Sequence, residues 1–248
     1  MKPLCYPRNS QSGFSLVELM IASVIGLLLT SAMLAAYVAS ARTYQIQDAM
    51  SEVQESGRFA MRILLKDLRQ SGVDVSGSQI VLGVKNSTDS INDFETSRSD
   101  LIIADKSVLS DIVYLPGLDP DGPSGPKGDD GVAYYIGSTE GLRSSLYHNK
   151  DALVEGVVGL VIEYGVDSDG DKLVDSYKKL TAMNATDWDE VMSVRFYLLM
   201  SSSGTGVTEQ AQQLIAPFNT VDTSDRRLYQ VFTATALLRN ALVVSEGG

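Results

Sequence analysis

The chain has 248 residues, 44% of them hydrophobic, and a formal net charge of −11 at neutral pH. That length suits one fair-sized domain, alone or with an anchor. The acidic balance argues against a nucleic-acid-binding face, which needs cations to neutralise phosphates, and against broad adhesion to anionic lipid. With a single histidine, His148, histidine-rich metal sites and HExxH zinc sites are excluded.

Residues 1–13, MKPLCYPRNSQSG, are polar, carry Lys2 and Arg8, and include the only cysteine, Cys5. An apolar run follows, with no charge between Glu18 and Arg42. As a helix it is long enough to cross roughly 30 Å of hydrocarbon. Positive charge before it and an acidic chain after it place the N-terminus in the cytoplasm. An ordinary secretory signal has a shorter apolar core, with its cleavage site behind that core. Glu18 conflicts with a plain anchor, because a carboxylate there is costly in lipid unless it is paired or close to the interface.

The stretch Gly13-Phe14-Ser15-Leu16-Val17-Glu18-Leu19 resembles the type IV prepilin signature. The resemblance implies cleavage between Gly13 and Phe14 by a prepilin peptidase, and N-methylation of Phe14. It also implies a role for Glu18 in assembly, pairing with the terminal amine of a neighbouring subunit. An ion pair compensates a charge buried among packed helices. Cleavage there removes Cys5, so the mature chain has no thiol for a disulfide or a zinc ligand.

The next segment, to about Ser71, contains no proline and repeats apolar or small residues at Ile46, Met50, Val53, Gly57, Ala60, Leu64 and Leu68. Alternating spacings of four and three form one stripe of a helix. The pattern predicts a helix over residues 14–71, roughly 85 Å long if unbroken, with residues 14–41 as its transmembrane half. The positions Gln54-Glu55, Arg58-Phe59-Ala60 and Asp67-Leu68-Arg69 resemble the same stretch of PilW-type minor pilins.

Beyond Gly72, β-rich runs alternate with Gly, Ser, Asp and Pro clusters. Strands are expected at 79–84, 100–104, 111–115, 132–136, 144–148, 157–164, 193–201 and 230–238. The lack of further long helices favours an α+β fold: a long N-terminal helix on an antiparallel sheet, with residues 72–248 as the head. The stretches Leu153–Val157 and Glu163–Asp167, Trp188 with Val194-Arg195, and Leu238-Arg239-Asn240 extend the PilW-type resemblance.

Two loops attract attention. Asp167, Asp169, Asp171 and Asp175 fall at relative positions one, three, five and nine. That spacing lets a tight loop offer oxygen ligands to calcium, although Gly170 and Lys178 depart from the EF-hand pattern. The other reading is a solvated acidic hairpin turn. Between Gly122 and Gly131 glycine recurs every third residue, a collagen-like register too short to sustain a triple helix. No Walker loop, dinucleotide fingerprint or Gly-x-Ser-x-Gly elbow is present.

The resemblance implies a structural, non-enzymatic minor pilin. It would start as an inner-membrane precursor and end in a surface filament, in a priming or tip complex. Its implied partners are other minor pilins, the major pilin, the prepilin peptidase and, before assembly, membrane lipid. No required cofactor is expected. A type II secretion pseudopilin shares the N-terminal physics and stays open, as does a membrane-tethered enzyme or sensor.

Overall fold

The computed structural model describes residues 13–71, 81–86, 107–116, 131–138 and 143–238. One helix, α1, spans Leu16–Gln70. The chain divides into two compact units between Gln45 and Ile46.

The first unit holds the early part of α1. The opening turn is set by Leu19 N–H donating to the Ser15 carbonyl at 3.1 Å. Its apolar side chains are exposed throughout, from Phe14 at 87% to Leu27 at 75% and Tyr44 at 72%. Hydroxyls in the run return their hydrogen bonds to the helix itself. Ser23 donates to the Met20 carbonyl at 2.8 Å, Ser31 to Leu28 at 2.8 Å, and Thr30 to Gly26. Such a segment enters an apolar medium without stranded hydroxyls.

The second unit contains the rest of α1 and two antiparallel sheets. One sheet is built from β1 (Leu82–Val84), β2 (Ser107–Val108), β3 (Ile112–Pro116), β4 (Gly131–Ser138), β5 (Ser145–His148) and β6 (Asp151–Glu155). Its order is β1-β3-β4-β5-β6, with β2 also on β4. The other sheet contains β7 (Val157–Val166), β8 (Ser176–Lys179), β9 (Val191–Ser201) and β10 (Tyr229–Leu237), in the order β10-β9-β7-β8. Two short 3-10 helices, Leu180–Ala182 and Asp187–Glu190, join β8 to β9.

A single sheet was expected, and Gly156 is why there are two. It is the only residue between β6 and β7, and it sits at φ +82°. Its N–H donates to the Ser144 carbonyl at 2.9 Å, and its own carbonyl accepts from Ser201 N–H at 2.8 Å. One residue is thus bonded to both sheets while turning the chain from one to the other. A Cβ there would lie 2.8 Å from the Ser201 carbonyl oxygen, so only glycine fits.

The main core lies between the helix and the sheets. Val53, Ala60, Leu64 and Leu68 of α1 meet Val113, Leu115, Val132 and Ile136 of one sheet, and Leu160, Val194, Phe196 and Leu198 of the other. The buried helix face begins at Ala49; Ile46 and Met50, expected on it, are 39% and 46% exposed. At Gly57 a Cβ would stand 2.2 Å from the Phe232 ring, so the glycine lets α1 approach β10. The far face of β9 and β10 is covered by the connection between them: Phe218 packs with Leu199 and Tyr229, and Leu214 and Val221 pack against that cluster.

Strands β6 and β8 were not separately expected. The expected strand at 100–104, and the collagen-like register up to residue 130, lie outside the described residues. Gly131, the last glycine of that register, begins β4.

Candidate functional site

The residues expected to serve processing and assembly, Gly13, Phe14 and Glu18, lie at the start of α1. At Gly13 an added Cβ would meet nothing within 4 Å, so among the described residues no contact accounts for a glycine there. Phe14 stands clear of the rest of the chain. Glu18 lies in the first turn of α1, where the helix dipole favours an anion, and it too is exposed. Among the described residues it has no ion-pair partner. Gly13 and Phe14 thus directly precede α1 and Glu18 lies in its first turn, and among the described residues no contact gives any of them a role inside the monomer. The 18-residue window here has mean hydropathy 2.2 with none of it buried, enough by length and composition to cross a membrane.

The carboxylate loop is the hairpin connection between β7 and β8. Asp167 is buried and acts as its post: it accepts from Gly170 N–H and from Lys172 N–H, both at 2.8 Å. Asp175 accepts from Ser168 N–H at 2.8 Å and from the Ser168 hydroxyl at 2.5 Å, and these bonds hold its carboxyl below the usual range. At Asp169 the backbone bond from Asp171 pulls the other way, but the charges of Asp171, Asp175 and Asp167 prevail and hold the group above its ordinary value. Ligand oxygens of Asp167, Asp169 and Asp175 lie within 4.8 Å of one another. Asp171 is not part of that group; its carboxylate accepts from Leu173 N–H at 2.8 Å. The loop thus gathers three of the four expected carboxylates in a pattern that a hard cation accepts.

Comparison with known proteins bears on both ends of the chain. A family model described as the prokaryotic N-terminal methylation motif matches residues 8–34, which include Gly13, Phe14 and Glu18. A second, described as Type IV Pilus-assembly protein W, matches residues 133–240, from within β4 through β10. Together the two matches support a type IV pilus minor pilin of the PilW type. No curated protein matches it. Among solved structures, a type IV-like pilin from Thermus thermophilus is similar at 13% identity and a TM-score of 0.41, over 76% of this chain and 97% of that one.

Several residues that hold the pilin's head together were not singled out from the sequence. Glu52 of α1 accepts from the Ser203 hydroxyl at 2.8 Å and from Arg143 at 3.4 Å, while Arg143 donates to the Ser201 carbonyl at 2.6 Å. Asp67, on the buried face of α1, accepts from the Tyr134 hydroxyl at 2.5 Å, with His148 Nε2 3.8 Å away. Burial first, then the bond to Asp67, pushes the Tyr134 phenol far above its ordinary value. Asp67 carried a signal that could have found it, a carboxylate on the apolar stripe beside Leu64 and Leu68. Glu52 carried none, because its partners are 91 and 151 residues away.

Proposed function

We propose that this minor pilin is cut between Gly13 and Phe14 by a prepilin peptidase and methylated on Phe14. It then enters a priming or tip complex with other minor pilins and the major pilin. The N-terminus starts in the cytoplasm, the precursor sits in the inner membrane, and the mature subunit ends in a surface filament. One observation carries this: a methylation-motif helix whose apolar side chains are left exposed while the head completes its own core. Apolar surface on that scale calls for lipid before assembly and neighbouring helices after it. Within the bundle Glu18 pairs with the amine of Phe14 on an adjacent subunit, which offsets both charges.

The test is intact-mass analysis of the protein from sheared surface filaments. The expected chain lacks residues 1–13 and begins at a Phe14 that carries one methyl group. An uncleaved mass, or absence from filaments while the protein accumulates in the inner membrane, would overturn the reading.

We also propose a calcium ion at Asp167, Asp169 and Asp175, favoured by the approach of their oxygens on one turn. It would be a structural ligand that tightens the hairpin, required by no step of assembly.

A further inference from the structure

The strongest unassigned feature is the free edge of β10. This strand has nine residues, Tyr229–Leu237, and ends the four-stranded sheet. It pairs with β9 along its whole length without a register shift. Ser202 N–H donates to the Leu228 carbonyl and Leu238 N–H to the Met192 carbonyl, each at 2.9 Å. With that register, the even-numbered residues of β10 bond inward to β9 and the odd-numbered ones turn their N–H and C=O outward.

Tyr229 is the first of the outward residues, and it is capped. Gln212 accepts from Tyr229 N–H at 2.6 Å and donates to its carbonyl at 3.3 Å, imitating a strand neighbour. Val231, Thr233, Thr235 and Leu237 follow, and among the described residues their outward backbone groups have no partner. The side chains of Thr233, Thr235 and Leu237 are exposed as well.

Protected edges are short, bulged, charged or interrupted by proline. β6 has five residues, with Asp151, Glu155 and a bulge opposite Leu146/Tyr147. β8 has four residues and carries Lys178 and Lys179. β10 has no charge, no proline and no bulge. Among the described residues it is the one long edge left open at these sheet ends.

We propose that the Val231–Leu237 edge of β10 is a docking site for an extended strand from a different pilus subunit, added to the sheet by backbone hydrogen bonds. This rests on the reading of the chain as a filament subunit. Alternating unpaired N–H and C=O groups are matched by an extended polypeptide and not by lipid or nucleic acid. The uncharged strand calls for an uncharged one beside it. Symmetry disfavours a second copy. Two β10 strands would pair antiparallel about a two-fold axis normal to the sheet, reversing every direction in its plane. Copies in one filament meet head-to-tail through heterologous contacts and not about such a two-fold.

The test places a photo-cross-linking residue at Thr235 of the full-length chain, in cells that make filaments. The expected adduct yields peptides of another pilus subunit. An adduct with a second copy, or none with any pilus subunit, overturns the proposal. In parallel, Thr233→Pro with Thr235→Pro removes two outward donors while sparing the bonds to β9. Two lost ladder bonds correspond to a fall of about tenfold in incorporation, with the head's melting temperature unchanged. Wild-type incorporation refutes the site. If the proline pair lowers the melting temperature, Thr233→Lys with Thr235→Lys, which leaves the backbone intact, decides by the same readout. Absence of the wild-type subunit from sheared filaments sinks the filament reading itself; presence there without an adduct sinks only the edge.

Discussion

The two halves of α1 are both rich in apolar residues, the first more densely than the second, and put them in opposite places. Before Gln45 the leucines, isoleucines and valines are exposed all round the helix. From Ala49 onward Val53, Ala60, Leu64 and Leu68 are each no more than 1% exposed, against two sheets. The pattern explains the difference. The first half is apolar on every face, as a helix must be when surrounded by lipid or by other helices. The second half gathers most of its apolar residues on one stripe and carries Glu52, Arg58, Arg62 and Lys66 elsewhere. A continuous helix can therefore serve two solvents, and the periodicity of its sequence says where the change falls.

The largest expected effect breaks the first half's role and leaves the second untouched. Glu18→Ala removes one partner of the proposed buried pair, which typically costs about 3–5 kcal/mol. The subunit should be made, inserted and cleaved, yet fall by orders of magnitude in filaments, as quantitative immunoblotting of sheared pili would show. Normal amounts in filaments, with pilus number unchanged, would leave Glu18 without an assembly role.

The reverse experiment targets the head. Leu64→Ala opens a cavity in a fully buried position and should cost about 2–5 kcal/mol. Leu28→Ala, at a residue 62% exposed, should leave the head's denaturation midpoint where it was. Equal midpoints for the two variants would mean that α1 does not contribute to the head's core.

A smaller effect concerns pH. Lys178 donates to Asp187 at 2.8 Å and Asn184 N–H donates to its other oxygen at 3.0 Å, holding this carboxyl below the usual range. A lowered folded value stabilises the protein above the unfolded pKa, about 3.9, and the contribution disappears as pH falls through the folded value. Asp175 acts in the same direction, and Asp169, held high, opposes them. The head's melting temperature should drop on acidification below about pH 4, and less steeply in Asp187→Asn. A parallel pH profile for that variant would show that the Lys178 contact is not responsible.

The smallest expected change is a rise of a few degrees in melting temperature on adding calcium at constant ionic strength, by preferential binding to the folded head. It should vanish in Asp169→Asn. Identical curves in calcium and in chelator would dispose of the ion.

The long helix was legible because its two periodicities are local. So were most strands between residues 111 and 238, where β-branched and aromatic runs stop at Gly and Asp turns. Less legible were β6 and β8. β8 is short and charged, and it exists as a strand because β7 offers it a partner. The Asp spacing drew attention to the right turn, but it could not show that Asp171 bonds to Leu173 and stays out of the group.

What the sequence determined by itself is what depends on neighbours along the chain: the apolar length of the first helix half, the stripe of the second, and the Gly13-Phe14 and Glu18 positions. Tertiary structure alone decided what depends on distant residues. Gly156 splits one expected sheet into two, because its bonds to Ser144 and Ser201 exist only once both strands are placed. Asp67 finds Tyr134 from 67 residues away. Whether β10 is an inner or an outer strand cannot be read from YQVFTATAL, since the same residues suit both. Its open edge follows from strand order, and strand order is set by the global packing of both sheets against α1.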